Sequence, residues 1–212
     1  MNYDHVLVPS GVAVTPEEVD EYLAAQNGVG EVAVVAEMAA VINARDAELP
    51  EADTFLGAER VGGAATGNAL YVSGPYDAIG FVRALLFEIA TPRGYAVYDP
   101  QLTWLIDPAG RAEVHVTHGG AGEFPYLTES LAHLWVPELS GPNPYLIAER
   151  GEQVYIQTYR DPSGSYTVEY RDGAPERHFG ATVEDPKRVA ELFWTWAEGN
   201  ELPDPGWSRV DF

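Results

Sequence analysis

The chain has 212 residues, 46% hydrophobic and 11% aromatic, with 33 Asp and Glu against 12 Lys and Arg for a formal net charge of -21 at pH 7. The apolar share suffices for a core and argues against disorder, while the charge repels phosphate backbones and disfavours direct DNA or RNA binding. The absence of Cys removes disulfides, thiolate chemistry and Cys-based zinc sites; the negative field favours a basic protein partner, with a host-wide acidic habit or a solubility device as the equally weighted alternative.

In chain order, His5 to Pro9 reads as a buried strand, and Thr15-Pro16-Glu17-Glu18 as a capping box with proline at the first helical position. Val19, Tyr22 and Leu23 form the apolar stripe of the helix that follows, leaving Glu17, Glu18, Asp20 and Glu21 at its start and outer face. A second helix runs from Glu31 to about Ala47. The stretch from Glu51 to Asn68, with Gly57, Gly62, Gly63 and Gly67, reads as a loop or irregular hairpin. Ala69 to Ser73 is a predicted strand and Tyr76 to Ala90 a helix with Ile79, Val82, Leu86 and Ile89 on one face and Phe81 and Phe87 off it. Tyr95 to Tyr98 is another strand, followed by an expected hairpin of Gln101 to Ile106 with Arg111 to Thr117, turned through Asp107 to Gly110.

Gly119, Gly120 and Gly122 suggest a flexible break, followed by a short amphipathic piece at Thr128 to Leu134 and a Pro- and Gly-rich stretch from Pro137 to Pro144. Four strands then follow at Tyr145 to Glu149, Gln153 to Arg160, Ser165 to Arg171 and Glu176 to Thr182, joined by RGE, DPSG and DGAP turns. Asp185-Pro186 opens a helix whose Val189, Leu192, Phe193 and Trp196 should cover one sheet face. The fold class is therefore α+β in two units: a βααβαβ-like amino-terminal unit with extra strands, and a carboxy-terminal antiparallel meander covered by a helix. The expected division is an acidic domain at 1–120, a linker with a short helix at 121–144 and a sheet-plus-helix domain at 145–212. Residues 1–140 hold 20 acids and 5 bases, and 141–212 hold 13 and 7, so the first part carries most of the field.

Chemical signatures are sparse. The single lysine, Lys187, is not in a Gly-rich strand-to-helix turn, so no P-loop is present, and no G-x-S-x-G elbow occurs. His115 and His118, with His133 as a third, come nearest to a metal set, but a spacing of three on a strand points the two side chains to opposite faces. With 33 acids, almost any carboxylate pair could be nominated for glycosidase chemistry. No catalytic residue, metal ligand or cofactor is assigned. The opening residues lack a basic stretch followed by an apolar run, and no apolar run approaches the ~18 residues of a membrane span; the expectation is a cytoplasmic protein.

Binding surfaces are better supported. Strand alternation puts Val154 and Ile156 on one face and Tyr155, Gln157 and Tyr159 on the other, so tyrosines stand exposed if the helix takes the aliphatic side, with packing against the first unit as the competing account. Trp194 is offset from its helix stripe by ~100° or more, which suits a rim position or burial against the first unit.

The segment YIQTYRDPSGSYTVEYRDGAPERHFGATVEDPKRVAELFWTWAEG, Tyr155 to Gly199, resembles small actinobacterial immunity-type proteins associated with polymorphic toxin systems. The amino-terminal unit, ending in YAVYDPQ at Tyr95 to Gln101, resembles uncharacterised actinobacterial α+β proteins. The first resemblance implies a cytoplasmic antitoxin that occludes a toxin's active site or substrate groove, and a basic nucleic-acid-acting toxin suits the acidity. Glu17, Glu18, Asp20, Glu21, Tyr155, Tyr159 and Trp194 are the candidate partner-binding residues. The alternatives are a small-molecule or catalytic module between the two units, using Arg83, Arg111 or His115, and a self-associating structural protein.

Overall fold

The computed structural model describes residues 2–56 and 60–210, so Gly57 of the glycine-rich stretch lies outside the described residues. The fold is α+β, with two antiparallel sheets in two compact units that meet in sequence at Ala109 and Gly110.

The first unit contains β1 (Asn2–Pro9), α1 (Pro16–Gln26), α2 (Ala33–Ala47), β2 (Leu70–Pro75), α3 (Ile79–Ala90), β3 (Tyr95–Asp99) and β4 (Trp104–Ile106), with sheet order β2-β1-β3-β4. Thr15 caps α1, its Oγ1 accepting from Glu18 N–H at 3.3 Å, while the return bond of the box shifts by one residue, Glu18 Oε2 accepting from Val14 N–H at 2.7 Å. Val19 of α1 packs with Val6, Val8, Ala96 and Tyr98 on one sheet face. The strand alternation sends Tyr3, His5 and Leu7 the other way, toward α3, so β1 is buried on both sides. Of the two phenylalanines off the α3 stripe, Phe87 is buried, while Phe81 is half-exposed with its ring 5.5 Å from that of Phe55.

The expected hairpin across Asp107 to Gly110 is not formed. β4 pairs with β3 (Val97 opposite Ile106), whereas the 111–118 segment belongs to the second unit. There β5 (His115–His118) pairs with β6 (Gly122–Phe124) and with β7 (Tyr145–Gly151). Asp107 instead caps the Ser10–Gly11 turn, accepting from Ser10 Oγ and Gly11 N–H at 2.5 and 2.8 Å. The remaining elements are α4 (Glu129–Glu138), β8 (Val154–Arg160), β9 (Tyr166–Asp172), β10 (His178–Val183), α5 (Pro186–Ala197) and β11 (Ser208–Arg209), with sheet order β11-β10-β9-β8-β7-β5-β6. The meander holds as a sheet core. In its first turn the left-handed position falls on Gln153 (φ 60°) rather than on Gly151.

The 121–144 segment is accordingly part of the second unit's body. Thr128 caps α4, accepting from Leu131 N–H at 3.2 Å, and α4 lies beside α5 with Trp135 fully buried against Phe124. Both helices sit on the sheet face that carries Val116, Leu146, Ile156 and Val168. Two arginines, one in β7 and one at the end of β8, fasten the helix ends: Arg150 donates to the carbonyls of Trp196 and Ala197 and stacks 4.6 Å from the Trp196 ring, and Arg160 donates to those of Pro137 and Leu139 at 3.0 Å. Each satisfies orphan carbonyls and complements the negative end of a helix dipole.

Gly119 does not act as a flexible break. A Cβ there would strike the Asn143 carbonyl oxygen and come within 2.8 Å of the Tyr145 ring, and β5 and β6 close a tight hairpin just beyond it. Gly119→Ala should therefore cost about 1–3 kcal/mol by overpacking, read as a lower urea midpoint for the second unit. An unchanged midpoint would contradict the close approach.

Candidate functional site

The outward face of the seven-stranded sheet is built by strict alternation. Across the strands, Tyr145 stands opposite Tyr159 and Tyr159 opposite Thr167; Ile147, Gln157 and Glu169 form the next row; Glu149, Tyr155, Arg171 and His178 form the third. Because Ile156 and Val168 take the helix-covered side, the tyrosines are directed away from α4 and α5. Tyr159 is 45% exposed and Tyr155 half-buried. Tyr145, Ile147, Gln157, Tyr159, Thr167 and Glu169 line a concavity of about 310 Å³ on this face.

Glu169 is the charged group of that concavity. Gln157 Nε2 donates to its Oε2 at 2.7 Å, and His178 Nε2 lies 3.3 Å from the same oxygen. The neighbouring position across the strand pair is Gly180, where a Cβ would sit 3.4 Å from Glu169 Cγ and 3.1 Å from Val210 Cγ2. The missing side chain leaves room for the glutamate stem. Tyr155 closes the end of the row, its ring 6.1 Å from that of the buried His178 in an edge-on arrangement. Arg171, one row along, makes no ion pair with Glu169 among the described residues. The result is an aromatic-sided depression with one oriented carboxylate.

The other sequence-derived candidates fall on separate surfaces. Glu17, Glu18, Asp20 and Glu21 are all exposed on α1, in the first unit. Trp194 is half-buried on α5, on the opposite side of the sheet from Tyr155 and Tyr159, so the three aromatics do not form one patch. Its helical offset from the stripe fits that flanking position.

The groups considered for a catalytic module also have defined places. Arg83 is closed inside the first unit at 2% exposure, Arg111 pairs with Glu113 at 2.7 Å on the surface, and His115 lies 3.9 Å from Glu123. His115 is exposed on the outward face, while His118 is buried beside Trp135 on the other. Among the described residues, no group of three or more His, Cys, Asp or Glu is arranged to hold a metal ion, and no helix is long and apolar enough to cross a membrane.

Sequence reasoning passed over two polar clusters. One is the Gln157–Glu169–His178 group, whose members are 12 and 9 residues apart, lie on two adjacent rows and meet only through strand register. The other lies inside the first unit, where Asp99 Oδ2 accepts from Tyr3 OH at 2.7 Å and from Arg83 Nη2 at 2.8 Å, while its Oδ1 accepts from the N–H groups of Gln101 and Leu102 at 3.1 and 3.0 Å. Burial, and then Asp99, push the Tyr3 hydroxyl far above its ordinary range, so it remains a donor. His5 is buried alongside, 5.1 Å from the Tyr3 ring, and neither ring nitrogen has a hydrogen-bond partner among the described residues. Burial, reinforced by Arg83, lowers its pKa to about 4. All four side chains of this cluster are buried.

No family model, curated protein or solved structure matches the chain.

Proposed function

We propose that this protein is an immunity-type inhibitor that binds and occludes a basic protein, with the outward face of the second unit's sheet as its principal contact. The carrying observation is the concavity bordered by Tyr145 and Tyr159 around the Glu169 carboxylate, on a face that neither helix of that unit covers. Large, rigid tyrosines beside an oriented polar group suit an interface hot spot, because they contribute contact area at low entropic cost. The exposed acids of α1 supply a second, long-range element that steers a basic partner. A toxin acting on nucleic acid suits the charge pattern, since carboxylates can occupy a groove built for phosphates. Such an inhibitor would act in the cytoplasm.

The test is a binding titration against a basic toxin domain captured from the native host, with protection from its toxicity as the biological readout. Tyr159→Ala should weaken the complex about 30-fold, the loss of a single hot-spot side chain. Reversing Glu17, Glu18, Asp20 and Glu21 together should slow association about tenfold at low salt and much less at high salt. A complex indifferent to Tyr159→Ala would remove the sheet face from the interface. Association insensitive to both salt and the charge reversal would remove the electrostatic steering.

A further inference from the structure

We infer that the concavity on the second unit's sheet is a receptor for an arginine side chain of the partner protein. The inference rests on the binding role proposed above and specifies its chemistry. Both protein contacts of the Glu169 carboxylate fall on Oε2, from Gln157 Nε2 at 2.7 Å and His178 Nε2 at 3.3 Å. Among the described residues Oε1 accepts no hydrogen bond, so two lone pairs remain for an incoming donor. The Glu169 side chain is only 24% exposed, which strengthens a charge-assisted bond relative to one on an open surface.

The sides of the depression select the kind of cation. Tyr145 and Tyr159 are direct cross-strand neighbours, and both line it. Tyrosine faces attract cations by their quadrupole, and a planar guanidinium stacks on them while directing its N–H groups in plane toward a carboxylate. An ammonium offers neither the flat face nor the fork. Ile147 and Thr167 supply apolar and neutral surface for the methylene stem. The Gln157 amide holds the carboxylate in place before the ligand arrives, which lowers the ordering cost of binding. The resident cation on the same face, Arg171, makes no ion pair with Glu169 among the described residues. The protein's net charge of -21 adds a field of the matching sign.

The experiment is an amide NMR titration of the full chain with acetyl-Gly-Arg-Gly-amide, and with the lysine and citrulline versions of the same peptide, at physiological salt. The arginine peptide should shift signals clustered on Tyr145, Ile147, Gln157, Tyr159, Thr167 and Glu169, and bind about tenfold more tightly than the citrulline peptide, which lacks the charge. The lysine peptide, which matches it in charge and therefore in any diffuse attraction to α1, should bind the concavity more weakly. Glu169→Gln should weaken the arginine peptide about tenfold. Tyr159→Ala, at an exposed position with little bearing on folding, should weaken it about three- to fivefold. Shifts centred on α1, equal affinity for arginine and lysine peptides, or a Glu169→Gln protein that is folded and binds as before would each overturn the inference. If the peptide misses the concavity while Tyr159→Ala still weakens the protein complex, the arginine receptor falls and the sheet-face interface stands. If the peptide binds there while the complex ignores Tyr159→Ala, the reverse holds.

Discussion

Asp99→Ala should destabilise the first unit by about 3–5 kcal/mol, the range seen when one partner of a buried ion pair is removed. The side chains of Asp99 and Arg83 are almost wholly buried, at 0% and 3% exposure, and the carboxylate also receives the Tyr3 hydroxyl and two backbone N–H groups. Deleting it removes the carboxylate paired with a buried guanidinium, the acceptor of a tyrosine hydroxyl, and the support of the turn at Gln101 and Leu102. Since domains are stable by only about 5–15 kcal/mol in total, this change approaches the whole margin of the unit. Urea unfolding, with hydrogen exchange at the Val6 to Val8 amides reporting on the first unit, measures it. A loss below about 1 kcal/mol would show that water or rearrangement compensates Arg83. The double replacement Arg83→Leu with Asp99→Leu should cost less than the sum of the single changes, because it removes both charges together.

Acid should weaken the same unit through His5. Its pKa is lowered from the usual 6.5 to about 4, so between those values the unfolded chain binds a proton that the folded chain excludes. A group depressed in the folded state contributes stability that is complete above pH 6.5 and declines as the pH falls toward 4. The size of the shift corresponds to about 3 kcal/mol. The groups facing the ring set the sign: burial leads, Arg83 opposes a second positive charge, and Asp99 and Asp4 offset part of this. Tyr3, beside the ring, stays neutral throughout. In His5→Leu the non-titrating side chain should flatten the pH dependence between 6.5 and 4, whatever its effect on stability at neutral pH. Parallel stability curves for the two proteins across that window would refute the assignment. The comparison is needed because the carboxylates also titrate toward the lower end of this range.

Local chemistry made much of this architecture readable. The capping box at Thr15 and the helix opening at Asp185 depend on neighbours within a few residues, and so do the turns at Gly164 and Gly173, which take up the left-handed conformations glycine permits. The destination of β5 was not readable in this way. A proline and a glycine between two apolar runs suggested a hairpin, yet the second run pairs with β7, some thirty residues later, and that choice depends on which sheet has an edge to offer. The tyrosine face followed from alternation along β8 alone. Its meeting with Glu169 and His178 required the register of three strands. Arg83 left a usable trace: it lies beside Val82 and Leu86 on the buried side of a helix whose other charge, Glu88, is exposed, and a lone charge on a buried stripe calls for a buried countercharge, here Asp99.

The ends of the seven-stranded sheet carry a consequence for how specificity could change. β6 has three residues and β11 two, so each outer edge offers little ladder for a foreign strand to extend. Strand addition recognises mostly main chain and tolerates many sequences, whereas docking into the sheet face depends on individual side chains. A partner held in that second way can be lost or exchanged through one substitution on either protein. The fold beneath need not alter, because the outward side chains of β7, β8 and β9 are separated from the core by the thickness of the sheet. Under the inhibitor role proposed above, the same scaffold would change its partner by single residues while its interior stays constant.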